Sequence, residues 1–325
     1  MTKYTRYFLA SSVAVLTAGL GIGLLAYFTG GFQALSASTG PSELAYVPAD
    51  AAVIAYADVG AIMNSDLRQR IKQAVPAQDQ GREQFEQQTG IDIERDIQYV
   101  VAAMSPGSGH SGLIVARGNF NPVQLESFAV EHGGAAETYR DRRLVSKAGA
   151  HGPHGGTLAF LEPGLVAIGD TATVKRAIDA RLSSTSVTDN GDIMALVAQI
   201  ERGHNAWAVG RFDALASQGR VPEQVRRQLP PVSWFAAAGH INGGVSGLVR
   251  VEATDDEGAE LLRRQVNGAL AFGEMMSKSD VRAEAALKSI QVSGSGRTVQ
   301  LSFQVPGEVL EMVMPQAGSP VEQQH

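Results

Sequence analysis

An internal repeat limits the fold of this sequence more than any other feature. A shift of 135 residues aligns Ile97–Val115 with Val232–Arg250 without a gap, and it places Tyr99 at the position of Trp234. Each stretch has the pattern of a strand, a glycine-rich turn and a second strand, and a helical pattern follows each of them. A tandem duplication explains this correspondence economically. The sequence therefore predicts two copies of one α+β unit.

The strands of this unit are predicted to have one buried face. Residues 298–305 alternate strictly between polar and apolar side chains, which is typical of a strand that buries a single face. A helix predicted over Gly258–Met276 has an apolar stripe that would cover that face, and Thr254 and Glu257 stand in capping-box register at its start. We expect two tandem repeats of mostly antiparallel sheet with helices packed on one face. The polar face is left to water or to a partner.

Several residues have the pattern of helix caps. Asn121, which precedes a proline, and Asp170 are each expected to begin a helix. Asp58 and Asp213 follow the first strand of each copy, and a role as N-caps explains their correspondence better than chemistry does. A further helix is predicted over Ala61–Val75.

An uncharged, mostly apolar run extends from Tyr7 to Phe28 and contains 22 residues. As a helix it would be about 33 Å long, which is enough to cross the core of a bilayer. Lys3 and Arg6 precede the run and the next charge is Glu43, so the basic flank is expected to stay in the cytoplasm. The sequence predicts a single-pass protein of a bacterial inner membrane with a periplasmic or otherwise extracytoplasmic C-terminal domain.

The alternative to an anchor is a cleaved signal peptide. Small residues at 34–36 and at 36–38 have the offsets that a cleavage site requires. The apolar run is longer than a usual h-region and ends well before those sites, which favours the anchor.

The apolar run also contains Gly19, Gly21 and Gly23. They do not form a dinucleotide-binding fingerprint, because the third glycine comes one residue early and no acidic residue follows at the required distance. Gly19 and Gly23 instead form G-x-x-x-G, a spacing that predicts close approach of two anchors in a homodimer.

The composition excludes several classes of function. The chain has no cysteine, so disulfides, thiol nucleophiles, thiolate zinc sites and iron–sulfur clusters are all excluded. Beyond Lys3 and Arg6 the chain has 25 basic and 33 acidic residues, a net charge of −8 with histidine neutral. A nucleic-acid partner is disfavoured, because phosphate contacts need clustered Lys and Arg.

These patterns divide the chain into five parts. A helix over Asp192–Ile200 is predicted to join the two copies. The parts are a cytoplasmic stub and transmembrane anchor at 1–28, a flexible stalk at 29–44, a first α+β repeat at 45–190, a second at 191–314 and a disordered tail at 315–325.

Two glycine-rich segments contain the candidate catalytic and metal-binding residues. His110 and Ser111 stand in one segment, and His151 and His154 stand in the other. A metal site needs three or four converging ligands, and neither segment has an adjacent carboxylate. Ser111 lacks the G-x-S-x-G frame of a hydrolase elbow and has a repeat counterpart in Ser246. We therefore predict no catalytic residue, no bound cofactor and no metal ligand.

A run of charges at Asp92, Glu94, Arg95 and Asp96 offers a possible acid/base pair. Charge runs at the boundaries of elements are usually solvated, and the isoleucines between them have the pattern of buried alternates. We expect this run to be structural.

Four stretches resemble a group of bacterial proteins of unknown function that have one N-terminal membrane helix and a Leu-x-x-x-Pro-Ala-Asp opening. The opening corresponds here to Leu44 with Pro48, Ala49 and Asp50. The resemblance implies a location in the bacterial envelope, and it supplies no activity, ligand or catalytic residue. The stretches are residues 44–71, 89–103, 116–120 and 161–178.

Three functions are compatible with these patterns. The leading hypothesis is a non-catalytic, membrane-anchored module that binds or scaffolds another envelope component through its polar sheet faces or the groove between the copies. The alternative is a protein that binds a lipid or other apolar ligand between the copies, near Tyr99 and Trp234. A hydrolase that uses Ser111 or the three loop histidines is the least favoured.

Overall fold

The computed structural model describes residues 41–74, 86–105, 112–147, 156–212, 230–277 and 281–308. These residues form an α+β fold with one large antiparallel sheet and several helices. The predicted membrane segment Tyr7–Phe28, with Gly19 and Gly23, lies outside them. Within the described ranges, no helix has both the length and the apolar character needed to span a bilayer.

Twelve strands and eight α-helices make up the described part of the fold, together with two short 3-10 helices at Ser42–Tyr46 and Val187–Asp189. The strands are β1 (Val53–Asp58), β2 (Ile97–Met104), β3 (Leu113–Gly118), β4 (Ala135–Tyr139), β5 (Arg142–Ser146), β6 (Thr157–Glu162), β7 (Leu165–Gly169), β8 (Ala206–Arg211), β9 (Val232–Ile241), β10 (Gly244–Ala253), β11 (Gln291–Ser293) and β12 (Thr298–Pro306). The helices are α1 (Val59–Met63), α2 (Asp66–Ala74), α3 (Ile93–Asp96), α4 (Pro122–Glu131), α5 (Thr171–Ser183), α6 (Gly191–Ile200), α7 (Asp256–Ser277) and α8 (Val281–Lys288).

All twelve strands belong to one continuous sheet, in the order β11-β12-β10-β9-β8-β1-β2-β3-β7-β6-β5-β4. The centre is the antiparallel pair β1 and β8, where Ile54 lies opposite Val209. Outward from this pair, the first half (β1–β7) runs β1-β2-β3-β7-β6-β5-β4 and the second half (β8–β12) runs β8-β9-β10-β12-β11, so the first five strands correspond and β5 and β4 extend the first half. The expectation of a separate sheet for each repeat is therefore wrong, because the first strands of the two halves pair with each other.

Helices cover both faces of this sheet, which corrects the expectation of helices on one face. We call the side with Tyr56 and Trp207 the front face and the side with Ala55 and Ala208 the back face. Helices α5 and α6 pack on the front face, whereas α7 and α8 pack on the back face of the second half. Strand β1 is buried along its whole length, because it lies at the centre with both faces covered. This burial explains why the strand is apolar up to its last residue, Asp58.

Strand register places an apolar row across the back face of all twelve strands. Four alanines stand at the centre of this row, on β2, β1, β8 and β9. The row is Ala136, Val145, Leu158, Ile168, Ile114, Ala102, Ala55, Ala208, Ala237, Val249, Leu301 and Val292.

The predicted helix caps are largely confirmed. The side chain of Asn121 accepts from the backbone N–H groups of the first turn of α4, and Asp170 caps α5 in the same way. The cap of α7 is Asp255 rather than Thr254, since its carboxylate accepts from the Gly258 amide at 2.7 Å. The Thr254 hydroxyl instead donates to the carbonyl of Pro231.

Two predicted boundaries differ from the structure. The helix expected over Ala61–Val75 is divided into α1 and α2, and the Ser65 hydroxyl accepts from the Arg68 amide at 3.2 Å where α2 begins. The predicted stalk ends earlier than Leu44, because Ser42–Tyr46 forms a 3-10 helix in which Leu44 is completely buried. The joining helix is confirmed as α6.

Candidate functional site

The front face of the second half carries a band of polar side chains that we call the open polar face. It arises from the strict alternation along β12, which turns Val299 and Phe303 into the back-face core and Gln300 and Ser302 to the front. Gln304 is exposed, and the others in the band are half-buried or exposed. The open polar face consists of Arg250, Gln291, Gln300, Ser302 and Gln304.

The matching front-face positions of the first half are apolar and covered. Positions 135 residues before Arg250, Gln300 and Ser302 hold Val115, Leu165 and Ala167. These three side chains are at most 1% exposed and belong to the front-face core beneath α5. In contrast, the described helices that pack against β11 and β12 are α7 and α8, which lie on the back face.

Internal contacts hold the charged groups at the margin of the open polar face. The Arg250 guanidinium donates to the side-chain oxygen of Gln199 on α6. The next front-face residue of β10, Glu252, pairs with Arg297 at 3.2 Å. What the face offers to a partner is therefore mainly the side-chain amides of three glutamines and the hydroxyl of Ser302, which donate and accept hydrogen bonds.

A buried carboxyl group lies at the end of β1. Asp58 is 3% exposed, and one of its oxygens accepts from the Ala61 amide at 3.4 Å, so the predicted N-cap is confirmed. In the described part of the chain, its other oxygen has no hydrogen-bond partner. Burial raises the pKa of Asp58 to about 7, against the opposing effect of the Ala61 and Gly60 amides. Its repeat counterpart, Asp213, lies outside the described residues.

An aromatic cluster packs beside Asp58 on the front face. The Tyr56 ring stacks on Trp207 with 5.5 Å between centroids and on Tyr99 with 6.3 Å. Burial raises the pKa of Tyr56 above its ordinary value, and the nearby Asp58 and Tyr99 add to the effect. This cluster joins the two halves, since Tyr56 on β1 lies directly opposite Trp207 on β8.

A buried ion pair attaches the first 3-10 helix to the sheet. Glu43 is 2% exposed and accepts from the Arg117 guanidinium on β3. Beside it, the Tyr46 hydroxyl donates to Glu162 at 2.8 Å. Burial, with this hydrogen bond, raises the pKa of Tyr46 to about 12. The network is satisfied internally, so we assign it a structural role.

The structure does not bring Tyr99 and Trp234 together. Tyr99 lies opposite Asp58 on one side of the centre, whereas Trp234 lies opposite Arg211 at the other end of the central strands. Three strand spacings across the sheet and about six residues along it separate them by roughly 25 Å. These two aromatic residues therefore do not form one site.

The other predicted candidates are only partly described. His110, Ser111, His151 and His154 lie outside the described residues. Within the described ranges, no group of three or more His, Asp or Glu side chains is placed to hold a metal ion.

The acidic run before β2 is structural, as expected, but it is not fully solvated. Asp92 caps α3 by accepting from the Glu94 amide at 2.8 Å, and Asp96 accepts from the Asp92 amide at 2.9 Å. Asp96 is buried, and the hydrogen bond from Arg95 lowers its pKa. Glu94 pairs with Arg68 of α2 at 2.5 Å.

Sequence reasoning missed the Glu43–Arg117 pair and the packing of Trp207 against Tyr56. Glu43 fell within the predicted stalk, so its burial was not foreseen. The one available signal was the isolated charge of Arg117 within an apolar strand, which requires a partner when it is buried.

Comparisons with known proteins found no matching family and a weak similarity to a solved structure. No family model matches the chain, and no curated protein matches it. Among solved structures, crystal form I of TP0453 is similar with a TM-score of 0.43 and 11% sequence identity, covering 86% of this chain and 98% of that one.

Proposed function

We propose that this chain is a non-catalytic module of the bacterial envelope that binds a partner protein through the open polar face. The observation that carries the proposal is the contrast between the halves. At matched positions the front face is apolar beneath α5 in the first half, whereas on β11 and β12 of the second half it is polar, and the described helices that pack against those two strands lie on the back face. A sheet face with hydrogen-bonding groups and internally partnered charges suits a polar protein surface.

The proposal includes the membrane anchor at Tyr7–Phe28, with the N-terminus in the cytoplasm and the sheet domain outside. The support for it is the length of the uncharged run and the basic residues before it. Gly19 and Gly23 are proposed to bring two anchors together. The net negative charge favours a protein partner over a nucleic acid.

We further propose that the two halves descend from a tandem duplication. The supporting observations are the alignment of Ile97–Val115 with Val232–Arg250 and the matching strand order on either side of the central pair. After the duplication, one front face stayed in the core and the other became a contact surface.

Site-specific photo-crosslinking of the full chain in its own cell envelope tests the proposed surface. A photoreactive amino acid replaces Gln304 on the open polar face, and the matched control replaces Glu274, which is exposed on α7 at the back of the sheet. We expect one reproducible envelope protein to be crosslinked from position 304 and not from position 274. The same product from both positions, or none from position 304, contradicts the proposal.

A further inference from the structure

Helix α7 has apolar residues on two sides. Its inner side packs in the back-face core, whereas an outer stripe remains in solvent. Leu261, Phe272 and Met275 in this stripe are 40%, 48% and 56% exposed, and Gly268 stands between them. At about 100° per residue, the stripe lies roughly 150° around the helix axis from the centre of the buried side. The sheet of the same molecule therefore cannot cover it.

Among the described residues, no contact of Gly268 requires a glycine at this position. A methyl group at this position would meet no atom of the described residues within 4 Å, whereas one at Gly273 would lie 3.3 Å from Leu287. Glycine in the middle of a helix is less stable than alanine, so an exposed glycine here weakens the helix without a compensating internal contact. The close approach of a backbone from another molecule would explain why a glycine stands at position 268.

The outer stripe is symmetric about Gly268. Leu261 stands seven residues before it and Met275 seven after, while Arg264 stands four before and Phe272 four after. Around a two-fold axis at Gly268, antiparallel copies of this helix place Leu261 against Met275, and the Arg264 guanidinium against the ring of Phe272. Apolar contact and a cation–π pair then form twice.

We infer that the outer stripe of α7 is the contact surface for a second copy of this chain, with the two helices antiparallel and crossing at Gly268. The stripe offers about 300 Å² of apolar surface per copy, below the ~800 Å² per partner of a stable soluble dimer. The contact geometry of the two α7 helices does not depend on the proposed membrane anchor. The stability of the dimer, however, rests on that anchor. Two copies held in one membrane meet at a high effective concentration.

The lack of native cysteine allows a direct test by disulfide crosslinking of the full chain in membranes. Gly268→Cys places the new thiols of the two copies at the axis, and Asn267→Cys is the matched control on another exposed side of α7. Under mild oxidation we expect a covalent dimer from Gly268→Cys, at least tenfold more than from Asn267→Cys. Equal yields, or no dimer from Gly268→Cys, overturn the inference.

The register has its own test. Leu261→Cys alone should not crosslink, because its two copies would lie about 21 Å apart in the antiparallel pair, far beyond disulfide reach. Co-expression of Leu261→Cys with Met275→Cys should restore the crosslink. A dimer from Leu261→Cys alone indicates a parallel pair and overturns the arrangement. Since position 304 is on the opposite face, failure here leaves the crosslinking result for the partner protein unaffected.

Discussion

The two halves share a strand order and differ in what happens to their front faces. In the first half, helix α5 covers β3, β6 and β7, and the front-face positions of these strands are apolar except for Arg117 and Thr157. In the second half, β10, β12 and β11 hold the matching places in the sheet and carry amides, a hydroxyl and a guanidinium. The comparison teaches that strand order does not determine whether a sheet face belongs to the core. The side chains at a few positions decide it.

The largest expected effect comes from exchanging the chemistry of one matched position. Leu165→Gln buries an amide in the first half beneath α5 and should lower the free energy of unfolding by about 4 kcal/mol, from lost apolar burial and an unsatisfied polar group. The reciprocal change, Gln300→Leu, should alter it by less than about 0.5 kcal/mol. Urea denaturation of both variants measures the difference, and similar values for the two would remove the contrast between the halves.

The second test concerns the centre of the sheet, where the halves join. The pKa of Asp58 is raised from 3.8 to about 7, so the folded protein binds this proton more tightly than the unfolded chain does. This contribution to stability is complete below about pH 4 and is lost as the pH rises to 7. Asp58→Asn keeps an oxygen for the cap and should raise the free energy of unfolding at pH 8 by about 3 kcal/mol.

Denaturation at several pH values checks this prediction for Asp58. The slope between pH 4 and 7 should become shallower in Asp58→Asn and stay as in the native protein in Asp170→Asn, the matched change at the cap of α5. An unchanged slope in Asp58→Asn would show that water reaches the carboxyl group.

The smallest expected effect is that of removing a helix N-cap, which should lower the free energy of unfolding equally in the two halves. Helices α4 and α7 follow matched strands and begin at Asn121 and Asp255. Replacing either cap with alanine should lower the free energy of unfolding by about 1 kcal/mol, since each change removes the side-chain oxygen that accepts from backbone N–H groups of the first turn. Thermal unfolding of the two variants measures it, and a clearly unequal pair of shifts would mean that one helix contributes more to the fold than its match.

Local features of the fold were predictable from the sequence. The alternation of residues 298–305 predicted which face of β12 is buried, and Asn121 and Asp170 predicted two helix starts correctly. These signals act over a few residues. Capping and strand alternation are set by neighbours in the chain, so one sequence is enough to read them.

Long-range features were not predictable in the same way. The pairing of β1 with β8 joins residues such as Ile54 and Val209, and no local pattern specifies that contact. The expectation of helices on one face failed for the same reason, because β12 revealed one polar face and the central strands have none. Of the candidate site, the polar side of β12 was foreseen, whereas the partners of Arg250 and the burial of Glu43 depend on the tertiary fold.

The central place of β1 has a mechanical consequence. This strand follows soon after the 3-10 helix at Ser42–Tyr46, which the Glu43–Arg117 pair fastens to β3. Tension that reached the domain from the N-terminal side would load β1 along its length, between β2 and β8, and would be resisted in shear by both ladders at once. In a domain pulled from this side, the strand closest to the applied force would therefore be held by hydrogen bonds along both of its edges.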